Sequence, residues 1–262
     1  MSGDAHAGVV HLRVAGRMAS VVFDRPAARN AMTWGMYESL ERICNQLRDD
    51  SEVRVVTFRG AGRDAFVAGT DIAQFQDFSS GEDGVAYEQR IDAVIGLLEA
   101  LPMPTVAVID GWTIGGGLAI ATACDFRLAT PASQFGVPIA RTLGNCLSVA
   151  NLARLEAAFG LQRVRRMLML AELLGAPEAL TCGYLHQVCE AHDLDTAAAD
   201  LCARLAELAP VTQSVAKEGL RRVVEKRMAE GDDLVRRTYG SADFHEGVAA
   251  FVAKRKPEWR GR

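Results

Sequence analysis

The chain has 262 residues and a mass of 28.2 kDa, close to the size at which a single hydrophobic core stops growing. Apolar residues make up 49% of it and charged residues 24%, values typical of globular proteins, which exclude general disorder. The formal net charge of −4 provides no broad positive field for nucleic acid or for an anionic membrane.

The cysteines and the apolar stretches indicate the cellular compartment of the protein. Six cysteines occur without a Cys-x-x-Cys pair or a Cys/His metal spacing, which predicts reduced thiols. The start of the chain lacks the apolar run of a signal peptide. The most apolar stretch, 101–124, contains two prolines and Asp110, so no membrane-spanning helix is predicted. We therefore expect a soluble cytoplasmic protein without nucleic acid or membrane partners.

The first half of the chain predicts short strands that alternate with helices and glycine-rich turns. The predicted strands are 9–14, 18–23, 53–58 and 105–109, the first two forming a hairpin. The predicted helices are 34–47 and 88–101, each with an apolar stripe at helical spacing. This alternation is typical of an α/β layered core.

After about residue 140 the pattern becomes helical. Helices are predicted over 147–159, 162–171, 176–182, 196–208, 211–227 and 244–254. Ser241 is a plausible cap of the last one. No low-complexity linker divides the halves, so we expect 141–262 to pack as a helical region on a core formed by 1–140.

Two segments look unlike plain core. Residues 65–72 read Ala-Phe-Val-Ala-Gly-Thr-Asp-Ile, and in 110–120 a buried strand runs into the three glycines 115–117 and then a helix. Adjacent glycines cost backbone entropy, but they let a ligand approach free amides at a helix start, which can hold a developing oxyanion. Tight helix–strand packing is the alternative. A dinucleotide site is excluded because its spacing requires glycine where Ile120 stands.

Six motifs, taken in order and spacing, resemble those of the crotonase superfamily, that is, the enoyl-CoA hydratase/isomerase superfamily. They are Arg-Pro-Ala-Ala-Arg-Asn-Ala-Met at 25–32, 65–72, 110–118, Cys-Asp-Phe-Arg-Leu-Ala at 124–129, Phe-Gly-Val-Pro at 135–138, and 244–257. The resemblance covers nearly the whole chain. It implies an α/β fold with a ββα spiral core and C-terminal helices that mediate trimerisation, as a homotrimer or a hexamer.

The resemblance also implies a function. Members of the family bind acyl-CoA thioesters in fatty acid metabolism and stabilise a thioester enolate or oxyanion with two backbone amides. By motif position these amides belong to Thr70 and Gly116, and a backbone donor at a helix start suits a developing negative charge. Coenzyme A enters as part of the substrate, and no further cofactor and no metal are implied.

Further binding residues follow from the same motifs. The resemblance places coenzyme A contacts on the loop residues Ala27, Ala28 and Arg29, on Ala68, and on Phe244 and Lys254 of the terminal helix. A solvated surface charge is the alternative for Arg29 and Lys254, and Lys217 is predicted to face solvent. The other expected lining residues are Gly69, Asp71, Ile72, Trp112, Ile114, Gly115, Ile139 and Leu143.

One departure from the family limits what the resemblance implies. Hydratases of the family use two glutamates, and the matching positions are Ala119 and Ile139, or Ala140 if the following loop is shifted. None of these side chains can move a proton. The enzyme is expected to be a lyase or isomerase of the family, with decarboxylation, hydrolysis or double-bond isomerisation as alternatives. A further alternative is a catalytically degenerate protein that only binds CoA.

Other polar groups near the expected pocket are candidates for the missing chemistry. They are Arg141, Thr142, Asn145, Cys146 and Ser148 on the loop and helix start, and Glu88 and Asp92 on the helix that, by the resemblance, caps the acyl pocket. Asn145-Cys146 falls where a dehalogenase-like branch has Asn followed by a nucleophilic Asp, so Cys146 is a candidate nucleophile or acid. A small buried thiol is the alternative. Asp71, Asp110 and Asp125 are expected to be structural.

Overall fold

The structure is a computed structural model that describes residues 8–261. The chain folds into two β-sheets flanked by helices. The strands are β1 (Val9–Ala15), β2 (Met18–Asp24), β3 (Val55–Gly60), β4 (Ala65–Ala68), β5 (Thr105–Ile109), β6 (Trp112–Ile114), β7 (Phe126–Ala129), β8 (Gln134–Gly136), β9 (Leu173–Gly175) and β10 (Gln187–Val188). The helices are α1 (Trp34–Arg48), α2 (Gly81–Glu99), α3 (Gly116–Ala123), α4 (Ile139–Thr142), α5 (Val149–Phe159), α6 (Leu161–Met169), α7 (Ala176–Thr181), α8 (Leu194–Glu207), α9 (Pro210–Glu225), α10 (Asp232–Tyr239) and α11 (Ala242–Val252).

The larger sheet has six strands in the spatial order β1-β2-β3-β5-β7-β10. β1 and β2 form the predicted antiparallel hairpin, and every later pair in this sheet is parallel. Both faces of its central strands are covered. On β5, Val106 and Val108 pack with α8, whereas Ala107 and Ile109 belong to the main core. A strand that is buried on both faces reads as one apolar run, which is why the prediction of 105–109 as a strand is confirmed.

The smaller sheet, in the order β4-β6-β8-β9, positions the two glycine segments. β4 and β6 are parallel neighbours, and Ala68 lies opposite Ile114 in their register. Both strands end at these residues, so Gly69-Thr70 and Gly115-Gly116 leave the sheet side by side. Parallel pairing therefore brings together two motifs that lie far apart in sequence.

The helices of the first half follow their predicted apolar stripes. In α1, Tyr37, Leu40, Cys44 and Leu47 are buried, and the Thr33 side chain accepts a hydrogen bond from the Met36 amide at 3.3 Å. α2 begins seven residues before the predicted start, at Gly81, where Ser80 and Asp83 form a capping box. Its first turns are polar, so the apolar period alone did not reveal them.

The predicted division near residue 140 is less sharp in the structure. β9 and β10 come from the part predicted to be purely helical, and they add one strand to each sheet. α10 was also missed, because its eight residues are mostly polar. Residues 1–7 and 262, at the outer ends of the two predicted regions, lie outside the described residues.

Lys217 was wrongly predicted to face solvent. Its side chain is 11% exposed, and its Nζ lies 2.7 Å from the Asp125 carboxylate. It also donates to the Met103 carbonyl at 3.2 Å. The Asp125 carboxylate accepts from the Thr105 amide at 2.8 Å, so the prediction that Asp125 is structural is confirmed. This ion pair fastens α9 to the larger sheet.

All six cysteines are unpaired. Within residues 8–261, every helix is too short or too polar to cross a bilayer.

Candidate active site

A cleft of about 860 Å³ opens where β4 and β6 end. The loop after β2, the starts of α3 and α4, helix α2 and the end of α11 contribute to its walls. The expected binding residues that line it are Ala27, Ala28, Arg29, Ala68, Gly69, Thr70, Asp71, Ile72, Ile114, Gly115, Gly116, Ile139, Leu143 and Lys254. The structure therefore gathers most of the motif residues around one cavity.

Thr70 and Gly116, whose amides are expected to hold the oxyanion, both line the cleft. Gly116 is the first residue of α3, so its N–H has no acceptor within the helix. Thr70 forms a parallel bridge with Met32, whose hydrogen bonds use Gly69 and Asp71 instead of the Thr70 amide. A β-carbon on Gly116 would lie 3.1 Å from the Thr70 Oγ1, so the Thr70 side chain lies beside Gly116.

Each of the three adjacent glycines has a different role. Gly115 has φ +53, which side chains rarely adopt. A β-carbon on Gly117 would overlap the Val67 carbonyl oxygen, so this glycine provides the tight helix–strand packing. At Gly116 the nearest atom to an added β-carbon is the Tyr37 Oη, at 2.5 Å. Of the two interpretations of the glycine cluster, tight helix–strand packing therefore applies to Gly117.

Three hydroxyl groups meet behind the Thr70 amide. The Thr70 Oγ1 lies 2.9 Å from the Tyr37 Oη and 3.0 Å from the Tyr87 Oη. Burial raises the pKa of Tyr37 to about 12 and that of Tyr87 well above its usual value, so both phenols stay protonated at neutral pH. These bonds fix the Thr70 side chain and, with it, the direction of its backbone.

The loop after β2 is held against β4 by side-chain bonds. Asn30, which has φ 58, donates to the Ala65 carbonyl at 2.9 Å and accepts from the Arg25 amide at 3.0 Å. Arg25 forms an ion pair with Asp71 at 2.7 Å, and the Asp71 carboxylate also accepts from the Ala73 amide at 3.1 Å. The expectation that Asp71 is structural is therefore confirmed.

Two expected binding residues lie outside the cleft. Phe244 is fully buried and packs against Phe75, Phe78 and Tyr239, because the Ser241 cap directs the first turn of α11 into this aromatic cluster. Another aromatic residue of α11, Phe251, lines the cleft with Lys254. Trp112 is 37% exposed and does not line the cleft, although the Arg29 guanidinium lies 6.0 Å from its ring. Neither departure had a signal in the sequence.

The positions that the resemblance matches to the two family glutamates carry apolar side chains. Ile139 lines the cleft. Ala119 lines a smaller cavity of about 30 Å³, which shares Gly115, Gly116 and Glu88 with the cleft. This volume suffices for one water molecule. Ala140 lines neither cavity.

Glu88 of α2 lines both the cleft and the small cavity. It is 4% exposed, and its Oε1 accepts from the Tyr239 hydroxyl at 2.8 Å while its Oε2 accepts from the Ser148 amide at 2.9 Å. Burial raises the pKa of Glu88 to about 7, an effect that these two hydrogen bonds oppose. A carboxyl group with this pKa can both accept and donate a proton near neutral pH.

The sequence carried a signal for Glu88. It stands on the inward stripe of α2, three residues after Val85 and three before Ile91, both of which are buried. A charged residue on an apolar stripe is uncommon unless it is paired or functional.

Asn145 and Cys146, although adjacent in sequence, have different surroundings in the structure. Asn145 lines the cleft and donates from Nδ2 to the Tyr239 hydroxyl at 3.2 Å, while its Oδ1 is buried and has no hydrogen-bond partner within residues 8–261. Cys146 is not on the wall of the cleft, and burial raises the pKa of its thiol to about 11. This environment favours the neutral thiol and does not support a nucleophilic role.

The remaining polar candidates are distributed around the cleft. Thr142 lines it, whereas Arg141 does not. Ser148 caps α5 by accepting from the Asn151 amide at 3.1 Å. Asp92 forms an ion pair with the buried Arg154 at 3.0 Å, outside the cleft. Within residues 8–261, the acidic, cysteine and histidine side chains form no group of three or more that could hold a metal ion.

The chain is similar in sequence to known proteins over nearly its whole length. A family model described as enoyl-CoA hydratase/isomerase matches residues 14–262. The chain is 29% identical to a short-chain-enoyl-CoA hydratase of Clostridium acetobutylicum, over 95% of this chain and 96% of the relative. It is 31% identical to a carnitinyl-CoA dehydratase of Proteus mirabilis, over 97% and 98% of the two chains.

The fold is similar to solved structures that cover nearly the whole chain. One is a methylmalonyl-CoA decarboxylase in complex with 2-nitronate-propionyl-CoA, with a TM-score of 0.88 and 25% sequence identity over 97% of this chain and 98% of that one. The predicted α/β crotonase fold is therefore confirmed.

Proposed function

The chain belongs to the enoyl-CoA hydratase/isomerase family, and from this membership we propose that it is an enzyme that binds an acyl-CoA thioester. The thioester oxygen accepts hydrogen bonds from the amides of Thr70 and Gly116, which stabilise an enolate or another oxyanion. The observation that carries the proposal is that these two residues lie beside each other at the wall of the cleft. The coenzyme A of the substrate is the only cofactor in this proposal. A cytoplasmic location, in keeping with the six unpaired cysteines, is also part of it.

The two amides suit a charge that grows during the reaction. A fixed donor at a helix start needs no reorganisation when the carbonyl oxygen becomes negative, and it acts away from bulk water. The hydroxyl cluster behind Thr70 keeps one donor in place, and the Gly115–Gly117 backbone keeps the other.

The coenzyme A portion lies along the loop after β2. Small side chains at Ala27, Ala28 and Ala68 leave room for the pantetheine and adenine, while Arg29 and Lys254 place positive charge at the same cleft. Phosphates are attracted to such charges even where each contact contributes little alone. Ile139 and Leu143 line the part that would take the acyl chain.

The absence of both family glutamates directs the proposal away from ordinary hydration. Hydration requires one group that activates water and one that protonates the α-carbon, and Ala119 and Ile139 supply neither. Decarboxylation is a second candidate. The observation in its favour is the similarity to the methylmalonyl-CoA decarboxylase, since loss of carbon dioxide leaves an enolate that the same two amides would hold.

Binding is tested by calorimetry with butyryl-CoA. We expect saturable binding that weakens by up to about fivefold in Arg29→Ala and in Lys254→Ala, with the difference shrinking as salt increases. Arg13→Ala is the matched control, because Arg13 is exposed on β1 and does not line the cleft. A panel of acyl-CoA thioesters then separates an enzyme from a degenerate binder, which turns over none of them. No binding of any thioester would refute the proposal.

A trimer or a hexamer is part of the same proposal. Apolar side chains are exposed on the helices of the second half or directly after them, among them Met169 (74%), Leu170 (64%), Val211 (73%), Val215 (65%) and Leu220 (70%). Such a surface is typical of a protein interface. Light scattering at micromolar concentration should give the mass of three or six chains, and a monomer would contradict the expectation.

A further inference from the structure

Glu88 reaches the place from which the family's first glutamate is missing. Its side chain and the Ala119 side chain line the same cavity of about 30 Å³, and the Gly116 backbone lies on that wall too. The carboxyl group of Glu88 therefore comes from α2 toward the space that a glutamate at 119 would occupy from α3. It does so beside one of the two proposed oxyanion donors.

The carboxyl group is held by parts of the chain that lie far apart in sequence. Tyr239 of α10 donates to one oxygen and the Ser148 amide, before α5, donates to the other. Asn145 in turn donates to Tyr239. α10 can dock this closely because Gly84, one turn before Glu88, lacks a β-carbon that would overlap the Tyr239 ring. A buried polar group held on both sides has a defined direction.

The surroundings of Glu88 bring its neutral and charged forms close in free energy near neutral pH. Burial raises its pKa to about 7, and the Asp92 carboxylate on the same helix raises it too. Among the residues that the structure describes, the other ionisable groups facing this region include Arg154 on α5, Tyr37 on α1, Tyr87 on α2, Tyr239 on α10 and Cys146. Arg154 pairs with Asp92 and with Glu99 at 2.9 Å, so it does not neutralise Glu88 directly.

The other ionisable groups that line the cleft within residues 8–261 have different roles. Asp71 is paired with Arg25. Tyr87 stays protonated because burial raises its pKa. Arg29 and Lys254 are cations beside the small side chains of the coenzyme A loop. Glu88 is left as the carboxyl group suited to exchange a proton with the acyl chain.

We propose that Glu88 is the acid/base group of this site and shifts a proton along the acyl chain of a β,γ-unsaturated acyl-CoA. The inference rests on the proposed acyl-CoA binding. The Glu88 carboxylate takes a proton from the α-carbon, and the electron pair of that C–H bond forms the enolate held by Thr70 and Gly116. The enolate then reforms the thioester carbonyl, the double bond moves to the α,β position, and the γ-carbon takes the proton from Glu88. The carboxylate is regenerated, so no water and no second group are consumed.

The test measures proton abstraction directly. The full chain is incubated with butyryl-CoA in deuterium oxide, and incorporation of deuterium at the α-carbon is followed by mass spectrometry. Conversion of a β,γ-unsaturated acyl-CoA is followed in parallel by the absorbance of the conjugated thioester. In Glu88→Gln we expect both rates to fall by about 10²–10⁴ while butyryl-CoA binding is retained. Glutamine can still accept from the Ser148 amide and donate to the Tyr239 oxygen, so the packing is preserved.

Glu99→Gln is the matched control. Glu99 lies on the same helix, and burial raises its pKa as well, but it pairs with Arg154 and does not line the cleft. We expect this variant to exchange at the unmodified rate. Exchange that survives in Glu88→Gln, or binding without exchange in the unmodified chain, would overturn the role of Glu88 while leaving the binding proposal intact. Failure to bind any acyl-CoA would overturn both.

Discussion

The two sides of the cleft are built from different kinds of group. The oxyanion side, as proposed, consists of the backbone amides of two short segments that follow neighbouring parallel strands. The part proposed for proton transfer has Ala119 and Ile139 where the resemblance expects glutamates, and it carries Glu88, a side chain held by α10 and by the start of α5. Function that depends on the backbone is tied to local motifs. Function that depends on a side chain can be supplied from another helix, provided that tertiary contacts hold it.

The sharpest test of this contrast is the hydration of crotonyl-CoA by the unmodified chain. Each missing acid/base group costs about 10²–10⁴ in rate, so we expect hydration to be very slow or absent. Glu88 offers one proton-transfer group where hydration uses two. The measurement is the loss of conjugated-thioester absorbance, and a rate normal for hydratases would show that this side still supplies both groups.

The oxyanion side is tested by Gly116→Val. A side chain here meets the Tyr37 Oη and the Thr70 Oγ1 and displaces the amide, so turnover should fall by at least about 10²–10³. Circular dichroism should show the native fold.

Gly96→Val on α2 is the control for this substitution. A β-carbon at Gly96 meets no atom within 4 Å, so its kinetics should match those of the unmodified chain. Unchanged kinetics in Gly116→Val as well would refute the proposed oxyanion site.

Tyr239→Phe tests how the acid/base side is tuned. Removing the hydroxyl takes away a hydrogen bond that lowers the pKa of Glu88, so this pKa should rise above about 7. Proton abstraction requires the carboxylate, and its rate therefore falls as the pH drops through the pKa. The acid limb of the α-exchange profile should move to higher pH, with a loss of up to about tenfold at neutral pH. If the acid limb does not move, Tyr239 does not influence the pKa of the group that controls the exchange.

Cys146→Ser should have the smallest effect. The thiol is off the cleft wall and its pKa is raised, so we expect turnover within about twofold of the unmodified chain. A loss of a hundredfold would restore Cys146 as a catalytic candidate and weaken the assignment to Glu88.

The same contrast explains what the sequence could predict. The strand 105–109 and the stripe of α1 were predicted because burial on both faces, or on one helical face, leaves a regular apolar pattern. The cleft residues around Thr70 and Gly116 were placed because each motif is a short continuous segment. The prediction that Lys217 faces solvent was wrong because its partner, Asp125, lies far away in the sequence, and no local pattern indicates such a pair.

The acid/base side could be predicted only in part. Glu88 was among the polar candidates, and its place on an apolar stripe set it apart, but its partners Tyr239 and Ser148 depend on how α10 and α5 dock. α10 itself was missed as a helix. The separation of Asn145 from Cys146 likewise depends on which way the loop turns, since the two residues are adjacent in sequence.

The burial of Glu88 also has a thermodynamic consequence for the whole molecule. Its pKa is about 7 in the folded chain, whereas a solvated glutamate has a pKa of 4.5, so folding favours the protonated form. The contribution of this group to the free energy of unfolding is fully present below the pKa of the unfolded chain. It is lost as the pH rises through the pKa of the folded chain, and the loss is about 3 kcal/mol. The stability of Glu88→Gln relative to the unmodified chain should therefore increase from about pH 5 to about pH 7 and stay higher above that. The variant that lacks the proposed proton-transfer group would then be more stable than the active chain. Glu88 is in this respect a site where activity reduces stability.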